Sequence, residues 1–286
     1  VSGKIPDQPI TIESALSSAR QRLRAFSETP ALDARVVLAH LTKKDPTWLL
    51  AHPGETLSRP HQAAFNNAIE LLRAGTPLPY LIGEWEFYGL KFQVTPDVLI
   101  PRPETELLVE TALAWIKQHP DAKAAEAGTG SGCIAISLAF MAQNLHITAT
   151  DISPQALEVA RRNATRHHVF DQIAFLENDL LSGLEGPFDL ICANLPYIPT
   201  DTLRQLAVSR HEPLSALDGG EDGLVYIRRI IDQARDLLAE DGLLLLEIEE
   251  RQGEAVSRLA SEAFPGASIE VKPDLAGKPR LLVVQR

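Results

Sequence analysis

From residue 101 onward the chain alternates short apolar runs with amphipathic stretches, and this alternation limits its fold more than any other feature. Strands are expected over 122–127, 146–151, 172–177, 188–193 and 242–248. Helices are expected over 105–118, 133–142, 154–167, 224–238 and 250–263, and the segments 268–271 and 280–284 read as a terminal hairpin. Strands separated by helices cannot pair through tight turns. They form a mostly parallel sheet with helices on both faces, an α/β architecture that binds its ligands at the carboxyl ends of the strands.

The first 80 residues follow a different rule. Ile12, Ala15, Leu16, Ala19, Leu23 and Phe26 recur at helical spacing behind Thr11, a candidate N-cap. Further helices are expected over 31–41, 46–51 and 58–73, with Gly75 and Pro77 ending the last one. Residues 84–98 are rich in aromatic and β-branched side chains (Trp85, Phe87, Tyr88, Phe92, Val94, Val98), with Gly89 between two candidate strands. The expected organisation is a helical domain over 1–80, a β-hairpin linker over 81–100 and a larger α/β domain over 101–286.

A content of 45% hydrophobic residues supports a real core. No apolar run approaches the roughly 20 residues of a membrane span. The opening VSGKIPDQPI carries no apolar signal-peptide core. Cys133 and Cys192 are far apart and form no CxxC pair, which excludes a disulfide framework and a cysteine-based zinc site. A cytoplasmic protein is expected. No HExxH or comparable spacing appears, so no metal is expected. His167 and His168 sit at a helix end and suit its dipole.

Charge is uneven. Residues 1–80 hold 9 Lys and Arg against 7 Asp and Glu; the rest hold 18 against 31, for a formal net charge of −11. Nucleic-acid binding normally needs a basic footprint, so a protein or small-molecule substrate is expected and direct nucleic-acid binding is not.

The segment Glu126-Ala127-Gly128-Thr129-Gly130-Ser131-Gly132 follows a candidate strand and opens a candidate helix. The glycines allow positive φ and close backbone approach to a ligand. Their spacing is G-x-G-x-G. The dinucleotide fingerprint G-x-G-x-x-G would need glycine where Cys133 stands, and Glu126 would repel a pyrophosphate. Asp151, at the end of the next strand, can accept from two ribose hydroxyls, and Asp179, after the third, from an adenine amino group. Three carboxylates favour a cationic, phosphate-free adenosine ligand, of which S-adenosylmethionine is one. The plainer alternative is a tight turn, with Asp151 and Asp179 as caps.

Asn194-Leu195-Pro196-Tyr197 closes the fourth candidate strand at the same edge. The Asn194 side-chain oxygen and the Leu195 carbonyl can together hold a planar NH2 group, and Tyr197 can stack on a flat π system. Two acceptors would align a conjugated, weakly nucleophilic nitrogen with the bond to be broken and favour its developing positive charge. Alone, the tetrapeptide also suits an ordinary strand-end turn.

Taken together the motifs resemble the HemK/PrmC family of release factor glutamine methyltransferases. The likeness is carried by Ile100-Pro-Arg-Pro-Glu-Thr-Glu106, Glu126–Gly132, Asp151, Asn194–Tyr197, Glu212-Pro213 with Ala216-Leu217 and Gly219–Gly223, and Leu246-Glu-Ile248 with Gln252-Gly253. The resemblance implies a seven-stranded, Rossmann-like class I methyltransferase sheet behind a small helical domain that helps to dock the substrate. It implies S-adenosylmethionine as donor, held by Gly128–Gly132, Asp151 and Asp179. It further implies methylation at N5 of the GGQ glutamine of class 1 peptide chain release factors, with Asn194 to Tyr197 holding the amide. The chain departs from the family pattern at Glu126, usually Asp, and at Leu195, usually Pro. Arg102 and Glu104 suit either the donor's methionine end or an anchor for the hairpin. Methylation of a ribosomal-protein glutamine, adenine-N6 methylation and a nonenzymatic adenosine sensor stay open on the residues alone.

Overall fold

A central strand of three alanines, a lysine and a glutamate is poor β material by propensity, yet it organises the molecule. In the computed structural model, which describes residues 10–286, the chain divides into two units, Val1–Gly83 and Glu84–Arg286. The first nine residues of the opening segment lie outside the described residues.

The first unit is helical: α1 (Ile12–Leu23), α2 (Pro30–Thr42), α3 (Pro46–Ala51), α4 (Arg59–Arg73) and α5 (Leu78–Ile82). Side-chain caps start three of them. Thr11, Asp45 and Ser58 accept from the backbone N–H groups of Ser14, Thr47 and His61, satisfying donors that a helix start leaves open. Leu23, Leu38, Leu49, Phe65 and Ile69 form the core of this unit. The first helix stops at Leu23, three residues short of the expected apolar stripe; Phe26 lies exposed under the Arg73 guanidinium, a cation–π contact at 5.3 Å. The helix α5 was not expected, because its five residues, one of them proline, leave no periodicity to detect.

The second unit opens with the hairpin β1 (Glu84–Phe87) and β2 (Leu90–Gln93). Both turn residues, Tyr88 and Gly89, have positive φ, the backbone of a two-residue hairpin turn. The hairpin does not act as a spacer: Phe87 and Phe92 are fully buried in the core of the second unit, and the boundary between units falls before it, at Gly83. After it come α6 (Glu106–Ile116), β3 (Lys123–Ala127), α7 (Cys133–Met141), β4 (His146–Asp151), α8 (Pro154–Arg166), β5 (Ile173–Glu177), β6 (Phe188–Ala193), α9 (Thr200–Leu203), α10 (Val225–Leu237), β7 (Leu238–Glu247), α11 (Gly253–Ala263), β8 (Ser268–Pro273) and β9 (Pro279–Gln285). The seven-stranded sheet runs β5-β4-β3-β6-β7-β9-β8, parallel except for β9, which is antiparallel to both its neighbours.

Strand order reverses direction at β3, so the loops leaving β3 and β6 diverge and open a crevice at their carboxyl ends. Alanines fit β3 because it is covered on both faces, and small side chains let α7 pack close. The helix α7 is apolar on every side and correspondingly buried from Ile134 to Ala139. Among the described residues no helix is long and apolar enough to cross a membrane.

Candidate functional site

A cavity of about 230 Å³ occupies the crevice. Its wall contains Glu126, Gly128, Thr129, Gly130 and Ser131 from the glycine loop, Asp151 and Asp179 from the next two strand ends, and Asn194, Leu195 and Pro196 from the end of β6. Ten of the twelve candidate residues therefore share one wall. Gly132 and Tyr197 do not line it.

The glycine loop is built by its own backbone. Gly128, Gly130 and Gly132 all have positive φ. A Cβ at Gly132 would stand 2.6 Å from Ile136 Cδ1 and 3.2 Å from Ala160 Cβ, so this glycine is needed for close packing of α7 against α8 and not for ligand contact. At Gly130 a Cβ would meet nothing within 4 Å, which leaves the cavity side of the loop open for close approach. The buried Asn163 of α8 donates to the carbonyls of Ser131 (2.9 Å) and Gln93 (3.0 Å) and accepts from Gln93 N (2.7 Å), tying loop, helix and hairpin together.

Glu126 is 1% exposed. Its Oε2 accepts from Thr129 Oγ1 (2.6 Å) and from Ala135 N (3.2 Å), so the side chain spans from β3 across the loop to the first turn of α7. The extra methylene relative to aspartate supplies that reach. Oε1 has no protein partner. Burial pushes this carboxyl up to about 8, against the two hydrogen bonds and with help from the Asp151 charge. At neutral pH Glu126 is therefore largely uncharged. The negative charge expected at Glu126 from sequence is left to its neighbour Asp151.

Asp151 is held by Gly130 N on Oδ2 (2.8 Å) and Ser153 N on Oδ1 (2.9 Å). Each oxygen keeps a further lone pair, which is what a ribose diol needs. Burial raises its pKa, while the backbone hydrogen bonds lower it. Asp179, half exposed, pairs with Arg229 at 2.6 Å. Sequence reasoning missed Ile152, Asn178 and Leu180 in the wall. Ile152 is 64% exposed, a large apolar side chain left beside the cavity, where a flat ring would cover it. Its place directly after Asp151 was the available signal.

On the other edge, Asn194 Nδ2 donates to Thr105 Oγ1 at 3.0 Å, which leaves Oδ1 to serve the cavity. Leu195 is buried and seats its Cδ2 3.0 Å from where a Gly128 Cβ would lie, so the leucine fills space under the glycine loop. Tyr197 does not present its ring to the cavity: its ring packs with the α10–α11 side of the sheet and its hydroxyl donates to Glu247 Oε1 at 3.5 Å. Burial pushes its phenol well above the ordinary range. Arg102 lines the cavity and pairs with Glu212 Oε1 at 2.5 Å, while Glu212 Oε2 accepts from Ile100 N (3.2 Å). Arg102 thus anchors the 100–106 segment to Glu212 and not to the hairpin. Cys192 is fully buried and Cys133 packs against the core; burial holds both thiols protonated. Among the described residues, no group of three or more His, Cys, Asp or Glu is arranged to hold a metal ion.

Known proteins resemble this chain in sequence and in fold. Residues 14–83 match the family model of the PrmC N-terminal domain, and residues 103–210 that of the methyltransferase small domain. The chain is similar to the release factor glutamine methyltransferase of Moorella thermoacetica, 42% identical over 97% of this chain and 99% of that one. It is 39% identical to the protein of the same name from Bacillus cereus, over 87% and 90%. Among solved structures, the hMettl16 catalytic domain in complex with the MAT2A 3'UTR hairpin 6 shares the fold, with a TM-score of 0.57 at 16% identity over 87% of this chain and 92% of that one. A methyltransferase from Pyrococcus furiosus does so at a TM-score of 0.50 and 19% identity, over 80% and 98%.

Methyltransferases of this family and fold take their methyl group from S-adenosylmethionine, and the cavity suits it: a glycine loop open to close approach, a carboxylate with spare acceptors and an exposed apolar side chain lie on one wall. Fold, cavity and near full-length identity agree, and the chain belongs to the release factor glutamine methyltransferase family.

Proposed function

We propose that the protein transfers a methyl group from S-adenosylmethionine to the side-chain amide N5 of the glutamine in the GGQ motif of class 1 peptide chain release factors. The observation that carries this reading is the Asn194 amide, whose nitrogen is committed to Thr105 at 3.0 Å and whose oxygen is left for the cavity. An acceptor beside the donor cavity suits a substrate NH2. The names of the relatives, release factor glutamine methyltransferase, supply the class of substrate.

The amide nitrogen of glutamine is a poor nucleophile because its lone pair is delocalised into the carbonyl. Asn194 Oδ1 and the Leu195 carbonyl would accept its two hydrogens, fix the group in line and stabilise charge developing on nitrogen. The donor's sulfonium supplies an electrophilic methyl group. Gly128–Ser131 and Asp151 would hold its polar parts, Ile152 one face of its adenine, and Asp179 the adenine edge. The helical unit Val1–Gly83 would help to dock the release factor, and the reaction would take place in the cytoplasm.

The test is methyl transfer from labelled S-adenosylmethionine to a purified class 1 release factor, beside its GGQ Gln→Ala variant, ribosomal protein and duplex DNA. Label on the unaltered factor alone is the expected result. Label on ribosomal protein or DNA instead keeps the methyltransferase and overturns its substrate. Donor binding with no label on any of them favours a sensor.

A further inference from the structure

The cavity wall around Asp179 is held by a helix from a distant part of the chain. Tyr226, Arg229 and Gln233 of α10 stand at i, i+3 and i+7, on one face of that helix. Tyr226 lines the cavity. Gln233 Oε1 accepts from Leu181 N (2.9 Å), and Gln233 Nε2 donates to Ser182 Oγ (2.9 Å). Arg229 donates to Asp179 Oδ2 at 2.6 Å, with its guanidinium 5.9 Å from the centre of the Tyr226 ring. Consecutive residues shape the glycine loop, whereas this end of the cavity is tied to a residue 50 positions away.

The loop that carries Asp179 is fastened on two sides. Asn178 N donates to Asp151 O (3.0 Å), and Asn178 Nδ2 donates to the carbonyls of Leu180 and Ser182 (3.0 Å each). Leu180 O also accepts from Thr150 Oγ1 at 2.8 Å. With Gln233 on Leu181 and Ser182, the backbone of 178–182 is bound to β4 on one side and to α10 on the other. The freedom left is rotation of the Asp179 side chain, and Arg229 takes one of its two oxygens.

We propose that Arg229 is a specificity-determining positioning residue for the donor: by holding Asp179 Oδ2, it fixes Oδ1 where it accepts from a 6-amino purine and cannot turn to serve a 6-oxo purine. This rests on the reading of Asp179 as the acceptor for the adenine edge.

The physical reason lies in one purine edge. Adenine presents an NH2 donor at position 6 and a bare acceptor nitrogen at position 1. Hypoxanthine, its deaminated counterpart, presents an acceptor oxygen at position 6 and an N–H donor at position 1. A carboxylate only accepts. Fixed opposite position 6, it pairs with adenine and opposes hypoxanthine, acceptor against acceptor. Free to rotate, it can move to the N–H at position 1 and pair with hypoxanthine as well. The Arg229 bond restrains that rotation, and the resulting polar mismatch rejects a ligand of nearly the same shape. The ion pair is partly exposed, 38% for Arg229 and 47% for Asp179, so it adds little to stability. Its removal therefore changes selectivity without unfolding the chain.

Binding of S-adenosylhomocysteine and S-inosylhomocysteine, measured by calorimetry, tests this in four full chains: unaltered, Arg229→Gln, Asp179→Ala and the double variant. The unaltered protein is expected to prefer the adenosyl ligand about 10-fold or more. Arg229→Gln should reduce the preference to about threefold or less, chiefly through tighter binding of the inosyl ligand, with Tm within about 2 °C. Asp179→Ala should lose the preference. The double variant should match Asp179→Ala, because Arg229 acts only through Asp179. Equal weakening of both ligands in Arg229→Gln, or an undiminished preference there, would overturn the proposal. So would a further change in the double variant, which marks direct contact between Arg229 and the ligand. A full preference in Asp179→Ala removes the adenine-edge reading of Asp179 and the proposal with it. Loss in Asp179→Ala with none in Arg229→Gln removes the proposal alone. If the unaltered protein binds neither ligand, the donor cavity is misassigned and the proposal falls with it. No release factor enters these measurements, so they hold whichever protein is methylated.

Discussion

The two edges of the cavity are built in opposite ways. The donor edge is local: Glu126 to Gly132 are consecutive, Glu126 closes the loop onto Thr129 and Ala135, and Asp151 comes from the adjacent parallel strand, where β3 pairs with β4. The acceptor edge is assembled from afar. Asn194 is oriented by Thr105, 89 positions away, and Tyr197 is tied to Glu247, 50 positions away. A donor site made by backbone geometry is carried by a short motif. An acceptor site made by side-chain polarity depends on the whole sheet being in register.

The largest expected effect separates the two edges directly. Asn194→Ala should cut methyl transfer about 10²–10³-fold, the cost of removing one preorganised polar contact to the reacting group. Donor affinity should survive, since the glycine loop and Asp151 are untouched. Parallel loss of donor binding, measured by calorimetry, would erase the distinction between the edges.

Gly132→Ala probes the other side. The new Cβ would sit 2.6 Å from Ile136 Cδ1 at a φ of +81°. Strain of about 1–3 kcal/mol is expected, read as a lower Tm and a matching loss of donor affinity because the loop must shift. A variant of unchanged Tm that still loses transfer would mean that Gly132 contacts ligand, contrary to its place outside the cavity wall.

The remaining effect concerns Glu126 and is seen in stability alone, where the donor and acceptor edges are not distinguished. Its carboxyl titrates at about 8 in the folded chain, above the ordinary glutamate range. The native state therefore binds this proton more tightly than the unfolded chain does. The stability it contributes is fully present below the ordinary range and is lost as pH rises through about 8. Glu126→Gln should flatten the fall of Tm between mildly acidic and mildly alkaline pH. An equally steep fall in the variant would assign the pH dependence to another group, such as Glu247.

Much of the fold was legible because its signals are local. The parallel strands and the helices between them follow hydrophobic periodicity, and Thr11 acts as the N-cap that its residue type suggested. The short helices α5 and α9 and the one-turn segments of 207–210 and 214–216 were not legible, because too few residues repeat to show a period. The 81–100 segment showed its hairpin but not its place: Phe87 and Phe92 read equally well as linker or core until the packing partners are known. Tyr197 shows the same limit. Its aromatic ring beside Asn194 suggested stacking, and a buried carboxylate on another strand drew the hydroxyl away.

The sequence by itself determined the α/β alternation, the glycine loop, and the acids and amide at the strand ends, because each is written in consecutive residues whose backbone preferences need no distant partner. Only the tertiary structure decided which end of Asn194 faces the cavity, that Glu126 is a buried brace across the glycine loop, and that the Tyr197 hydroxyl turns to Glu247. Those choices depend on burial and on hydrogen-bond partners far away in the chain, and neither exists until the sheet has closed around them.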